Sequence, residues 1–227
     1  MPERLPARLQ PWLPAAYQSS HRWGVNVCLI LGVLDRESHG GKTLKPEGPA
    51  GTGDWQPRRW SKYAHREDAQ RFKHWVPSRD EWCRWFPSRT RLWPAEVCMP
   101  GDGQGFGRGL MQLDFADTDN DAFLSEMLPG GIPAWQDGTR NIDAGTKKLV
   151  HLIEVFGHDE ALAAAAYNAG VGAVREAQAS ITGPVSIERL QRAVDQVTTG
   201  KNYCTDVIGR RDRFCRLFVR HCASFVF

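Results

Sequence analysis

Val25-Asn26-Val27-Cys28-Leu29-Ile30-Leu31-Gly32-Val33-Leu34-Asp35-Arg36-Glu37-Ser38 is the stretch on which the reading of this chain turns. An unbroken apolar run, oily on every side, reads as a helix buried in a core. It closes on charged residues, and His39-Gly40-Gly41 stop it, as glycines after a last turn do. A carboxylate at the end of such a helix is expected in a dry setting. Burial disfavours its charged form, and the negative end of the helix dipole pushes the same way. Glu37 is therefore the candidate general acid, a carboxyl able to stay protonated near neutral pH. Arg36 opposes this shift if it turns inward; the sequence reading has it facing solvent.

Outward from this helix, most segments keep a helical period. Residues 4–20 suggest a first helix interrupted by prolines, with Leu9, Trp12, Leu13 and Tyr17 at helical spacing. Residues 139–156 form an amphipathic pattern with Ile142, Leu149, Leu152 and Ile153 inward. Residues 159–168 are alanine-dense and suit close helix packing, with Gly170 and Gly172 read as breaks, and a last helix covers about 202–220. Residues 101–114 alternate glycines at 101, 103, 105, 107 and 109, so the backbone there can take unusual angles and approach a ligand closely. The spacing is not that of a dinucleotide loop. A small irregular sheet or hairpin is expected near 105–115. The fold class is mainly α, an α+β arrangement around a buried helix, in one domain of 227 residues with an inserted subdomain at about 45–99.

That insertion differs in texture. It holds six of the nine tryptophans and carries eleven Lys/Arg against seven Asp/Glu, so 11 − 7 = +4 against a whole-chain charge of +3. A mild positive excess of this kind suits an anionic polymer. Its tryptophans read first as the insertion's own small core, and second as stacking platforms. Six cysteines include no CxxC pair; among possible bridges Cys83–Cys98 is favoured, and free buried thiols, Cys28 among them, are the competing reading. The arginines at 210, 211, 213, 216 and 220 read as a solvated helix face. Asp117-Thr118-Asp119-Asn120-Asp121 opens like a calcium loop, but Ala122 and Leu128 stand where the loop needs glycine and glutamate. The histidines lack zinc-ligand spacing, so no metal and no cofactor is expected. No leader sequence and no membrane-length apolar run is read, which leads to the expectation of a protein made in the cytoplasm and acting in the periplasm or cell wall after non-Sec export or injection.

Taken in order, the pieces resemble goose-type lysozymes of glycoside hydrolase family 23, a group that also holds lytic transglycosylases. The matching pieces are Arg36-Glu37-Ser38-His39 with Gly41-Lys42, and Gly105-Phe106-Gly107 before Gly109-Leu110-Met111-Gln112-Leu113-Asp114. Asn141-Ile142 with Gly145-Thr146 follow, then Ala166-Tyr167-Asn168-Ala169-Gly170, and Thr199-Gly200 with Tyr203 and Asp206-Val207. The chain departs from the family in the long insertion and in Arg108, which splits the usual Gly-Leu-Met-Gln string.

The resemblance implies a lysozyme-like fold and a muramidase acting on peptidoglycan between N-acetylmuramic acid and N-acetylglucosamine. Glu37 would be its acid, and Asp102 or Asp114 would place the attacking water. Inversion needs such a second carboxylate on the opposite sugar face. Asp114 is the nearer match in motif, while the solvated setting of Asp102 suits a base. Gln112, Phe106, Tyr167 and Asn168 would bind substrate, Tyr167 and Asn168 also supporting the acid. A lytic transglycosylase, in which the sugar's own hydroxyl attacks, and a chitinase are the enzymatic alternatives. A basic, tryptophan-bearing module that binds glycan or nucleic acid is the non-enzymatic one, and the intact Glu37 motif argues against it. A phage endolysin or an injected antibacterial effector fits the expected route, with a small inhibitor or immunity protein as partner and a monomer as the working form.

Overall fold

The computed structural model describes residues 4–44, 47–49, 51, 107–114, 137–184 and 186–223, with Asp114 and residues 219–223 described in backbone alone. Most of the tryptophan-rich insertion, with Cys83 and Cys98, lies outside the described residues. Among these residues the fold is mainly helical, as expected: seven α-helices and one two-stranded antiparallel hairpin. The chain divides into two compact units, residues 1–39 with 145–227, and residues 40–144.

In the first unit, a 3-10 turn at Gln10–Trp12 leads into α1 (Leu13–Trp23), whose first turn holds Pro14, where a missing N–H costs nothing. Gly24, at φ 70, ends α1 with its N–H on the Ser20 carbonyl at 2.8 Å. Leu9 is buried as expected, but Tyr17 is 47% exposed and meets Phe218 with the rings tilted at 48° and centroids 5.9 Å apart, instead of entering the core. α2 (Val27–Ser38) starts at Asn26, whose side chain accepts from the Cys28 N–H at 2.9 Å. Every residue from Cys28 to Asp35 is buried.

α2 packs on α7 (Tyr203–Ala223) at close range because Gly32 has no side chain. A Cβ there would lie 3.0 Å from the Val207 carbonyl oxygen and 3.3 Å from the Arg211 nitrogen. A disulfide, Cys28–Cys215, joins the same two helices across 187 residues of sequence. Cys28 is thus a bridge partner, not the free core thiol of the sequence reading.

α4 (Glu160–Ala169) is capped by Asp159, which accepts from the Ala161 and Leu162 N–H groups at 2.9 and 3.0 Å. Its buried alanines let α7 lie against it. Gly170, read as a break, sits at φ 83 and serves as the junction of two helices: α4 ends there and α5 (Val171–Ala179) begins. α6 (Ile187–Asp195) follows a Ser186 cap. Its last residue, buried Asp195, accepts from the N–H groups of Cys204 (2.7 Å) and Thr205 (3.2 Å), satisfying the orphan donors that open α7.

In the second unit, β1 (Gly107–Arg108) pairs with β2 (Leu113–Asp114), Gly107 opposite Asp114 and Arg108 opposite Leu113. This is the hairpin the glycine run suggested. Buried Asn141, near the start of α3 (Gly138–Val155), clamps its turn: its amide donates to the Arg108 carbonyl at 3.1 Å and accepts from the Met111 N–H at 2.7 Å. Gly109 is required there, because at φ 66 an added Cβ would stand 2.3 Å from the Asn141 nitrogen.

Candidate active site

Glu37 lies in the last turn of α2. Its side chain keeps some surface, but protein surrounds the carboxyl, and that burial is the main reason its pKa rises from 4.5 to about 7. Three groups pull the other way without prevailing: the Tyr203 hydroxyl, which donates to Glu37 Oε1, then the charges of Lys148 and Arg36. Tyr203 opens α7 and is itself buried. Burial and the Glu37 charge hold its own pKa well above the ordinary tyrosine value, so it remains a proton-bearing donor.

Around this pair, α3 and α4 contribute one residue each to a second layer. Lys148 of α3, 7% exposed, seats its Nζ 4.5 Å from the ring centroid of Tyr167 on α4, which is 5% exposed. Arg36 spans the other side, with its guanidinium 5.4 Å from the Tyr203 ring centroid. It does not face solvent: Nη1 donates to Asp206 Oδ2 at 3.0 Å and Nη2 to Asn202 Oδ1 at 2.9 Å. The reason is a surplus of acceptors along the start of α7, which outbids water for a guanidinium within reach.

Behind Arg36 the network continues. Arg210 bridges Asp206 (2.9 Å) and Asp35, and Arg8 closes on Asp35 with two bonds of 2.7 and 3.0 Å. Arg211 pairs with Glu160 and Asp212. The expected solvated arginine face of the last helix is therefore corrected at Arg210 and Arg211, which are partly buried and ion-paired.

The structure brings Glu37 and Tyr167 into the same unit, linked through Tyr203 and Lys148. Asn168 has its side-chain oxygen engaged within the protein, accepting from the Thr199 N–H at 2.7 Å across 31 residues of sequence. Gln112 lies in the hairpin unit at φ 46, and its side-chain nitrogen donates to the Gly109 carbonyl at 2.7 Å. Asp114 is placed by its backbone alone, in β2, while Asp102 and Phe106 lie outside the described residues.

Tyr203 stood among the residues that carry the resemblance but without a role, and Lys148 was not singled out from sequence. For Lys148 a signal existed: Asn141, Gly145, Lys148 and Leu152 form one buried stripe at helical spacing, whereas the adjacent Lys147 lies over Trp23 at 5.7 Å. Among the described residues no group of His, Cys, Asp and Glu is arranged to hold a metal ion. Nor is any described helix long and apolar enough to cross a membrane.

A buried proton donor held by a tyrosine and flanked by two cations is equipped to protonate an oxygen leaving a sugar carbon and then to exist as a carboxylate. Residues 100–184 match the family model described as the transglycosylase SLT domain, a span that includes the hairpin, Asn141, Lys148, Tyr167 and Asn168 but begins after Glu37. No curated protein matches the chain. The match supports the lysozyme-like lytic transglycosylase superfamily and a glycosyl-cleaving enzyme acting on peptidoglycan.

Proposed function

We propose that the protein cuts the glycan strand of peptidoglycan at the β-1,4 bond between N-acetylmuramic acid and N-acetylglucosamine, by lytic transglycosylation with Glu37 as its acid and base. The observation that carries this reading is the Glu37 carboxyl, raised to about 7 and hydrogen-bonded by Tyr203. Protonated Glu37 gives its proton to the bridging oxygen as the bond from that oxygen to C1 breaks. The carboxylate left behind then takes the proton of the sugar's 6-hydroxyl, and that oxygen closes on C1 to give an anhydro ring. One carboxyl serves both steps. Its two forms lie close in free energy near neutral pH, which general acid–base catalysis requires.

Hydrolysis with inversion is the second reading, favoured by the presence of Asp102 and Asp114 in the segment that resembles the goose-type pattern. It needs one of them to hold a water roughly 6.5–9.5 Å across from Glu37. The same site could accept chitin, whose repeating amino sugar shares the reacting atoms. The Cys28–Cys215 bridge supports work in an oxidising compartment, the periplasm or outer wall, where an endolysin or an antibacterial effector acts. In that role a monomer would suffice, and an inhibitor protein in the producing cell would be its partner.

Mass spectrometry of fragments released from purified peptidoglycan tests the proposal. Anhydro ends support transglycosylation, reducing ends one water heavier support hydrolysis, and intact strands contradict both.

A further inference from the structure

The guanidinium of Arg36 is enclosed by one short stretch of chain. Nη1 donates to Asp206 Oδ2 at 3.0 Å, and Nη2 to Asn202 Oδ1 at 2.9 Å and to the Thr199 carbonyl at 3.5 Å. The turn at 199–202 closes on it because residue 200 is glycine. At φ 74, an added Cβ would stand 3.4 Å from Arg36 Nη2 and 3.2 Å from Asn202 Oδ1. Asn202 and Asp206 flank Tyr203 in the chain, so the fork holds α7 on both sides of that residue. Between these two anchors the guanidinium carbon lies 5.4 Å from the Tyr203 ring centroid, within cation–π reach. The Tyr203 hydroxyl in turn donates to Glu37 Oε1. A line of contacts thus runs from Arg36 through Tyr203 to the acid.

We propose that Arg36 is a positioning residue of the cleavage reaction: its planar fork, anchored on Asn202 and Asp206, fixes the Tyr203 ring so that its hydroxyl meets Glu37. This rests on the reading of Glu37 as acid and base. A donor already in place when the carboxylate forms stabilises it with no reorganisation at that moment. Arginine suits the task because two Nη groups in one rigid plane reach two acceptors at once, which an ammonium on a flexible stem does not reproduce. The backbone around Tyr203 has other supports. Asp206 keeps Arg210 as a partner at 2.9 Å, the Tyr203 N–H donates to Thr198 Oγ1 at 3.2 Å, and Asp195 accepts from the N–H groups of Cys204 and Thr205. Loss of the fork therefore frees the ring while the start of α7 stays in place.

Tyr203 of α7, Lys148 of α3 and Arg36 itself all act on the Glu37 carboxyl, with Tyr167 of α4 beside Tyr203, so a variant must part the fork of Arg36 from its charge. The experiment is an infrared titration of the full chain, in which the difference against Glu37→Gln isolates the Glu37 carboxyl band. In the wild type its midpoint should lie near 7. Arg36→Lys, which keeps the charge and loses the fork, should raise it by about one pH unit, as Tyr203→Phe does. Arg36→Lys combined with Tyr203→Phe should sit no higher than Tyr203→Phe alone, because both act on one contact. Asn202→Ala, which leaves Arg36 in place, should move the midpoint in the same direction and decides the matter should Arg36→Lys fail to fold. The falling limb of kcat/KM against pH should follow the midpoint in each variant.

A folded Arg36→Lys protein with the wild-type midpoint overturns the inference, since charge alone would then suffice. Shifts that add in the double variant overturn it as well, because Arg36 would then act without Tyr203. Where Arg36→Lys does not fold, an unmoved midpoint in Asn202→Ala does the same. If the midpoints shift as stated while the wild type leaves peptidoglycan uncut, the proposed function fails and the positioning of Tyr203 by Arg36 stands.

Discussion

Asp35 and Glu37 stand two residues apart on α2, both deep in protein, and their proton affinities move in opposite directions. Burial raises the pKa of each. At Asp35 the guanidiniums of Arg8 and Arg210 more than offset it, and the carboxyl is held below its ordinary range. At Glu37 the opposing groups are a neutral hydroxyl and two less direct cations, and burial wins. A carboxylate clasped by two arginines is an ion pair that fastens helices together. A carboxyl hydrogen-bonded by a phenol, with its cations acting on it through their charge alone, keeps a proton it can give away. The two carboxyls differ in the partners they meet.

Substitutions separate the two roles. Glu37→Gln should keep the fold and lower cleavage by roughly 10²–10⁴-fold, because the amide cannot transfer the proton. It should not cost stability. A carboxyl raised from 4.5 to about 7 favours the native state fully below 4.5 and loses that contribution as pH rises through 7. At pH 8 charged Glu37 therefore opposes folding by up to about 3 kcal/mol. The melting temperature of Glu37→Gln at pH 8 should equal or exceed that of the wild type; a large drop would mean that Glu37 is structural.

Asp35→Asn should do the reverse. It leaves Arg8 and Arg210 facing a neutral group and should cost about 3–5 kcal/mol by denaturant unfolding, with activity per folded molecule little changed. Because the pKa of Asp35 is lowered, its contribution is present above the ordinary carboxylate range and disappears as pH falls through the lowered value. An Asp35→Asn protein as stable as the wild type would remove the contrast. Breaking Cys28–Cys215 with a Cys28→Ser, Cys215→Ser pair should cost about 2–5 kcal/mol, and a reductant should lower the wild-type melting temperature to match. Tyr203→Phe, the smallest change, should raise the Glu37 midpoint by about one unit through loss of the donor that favours its charged form, read as a shift of the falling pH limb.

Much of the setting of Glu37 could be read from residue order. The apolar run at 25–34 announced α2, and the charged close announced a carboxyl in dry surroundings. The alternating glycines announced the hairpin, and Gly109 is required there because Asn141 occupies the space a side chain would need.

What could not be read depends on partners far off in sequence. Tyr203 meets Glu37 across 166 residues, and Cys28 meets Cys215 across 187. Arg36 looked like a solvent-facing charge because its partner Asp206 stands 170 residues away, whereas Arg210 follows Asp206 by four residues, an ion-pair spacing on one helix that the sequence does display. α5 was missed for a different reason: Gly170 and Gly172 signal a bend, and a bend at Gly170 serves equally to end one helix and begin another.

The central claim is that cleavage requires Glu37 with its proton on. The most direct measurement is kcat/KM against pH for the wild-type chain on soluble peptidoglycan fragments. The account predicts a rate that falls about tenfold per pH unit above about 7, as the acid is lost in the free enzyme. A rate that stays level from pH 6 to pH 9, or rises through 7, would contradict it.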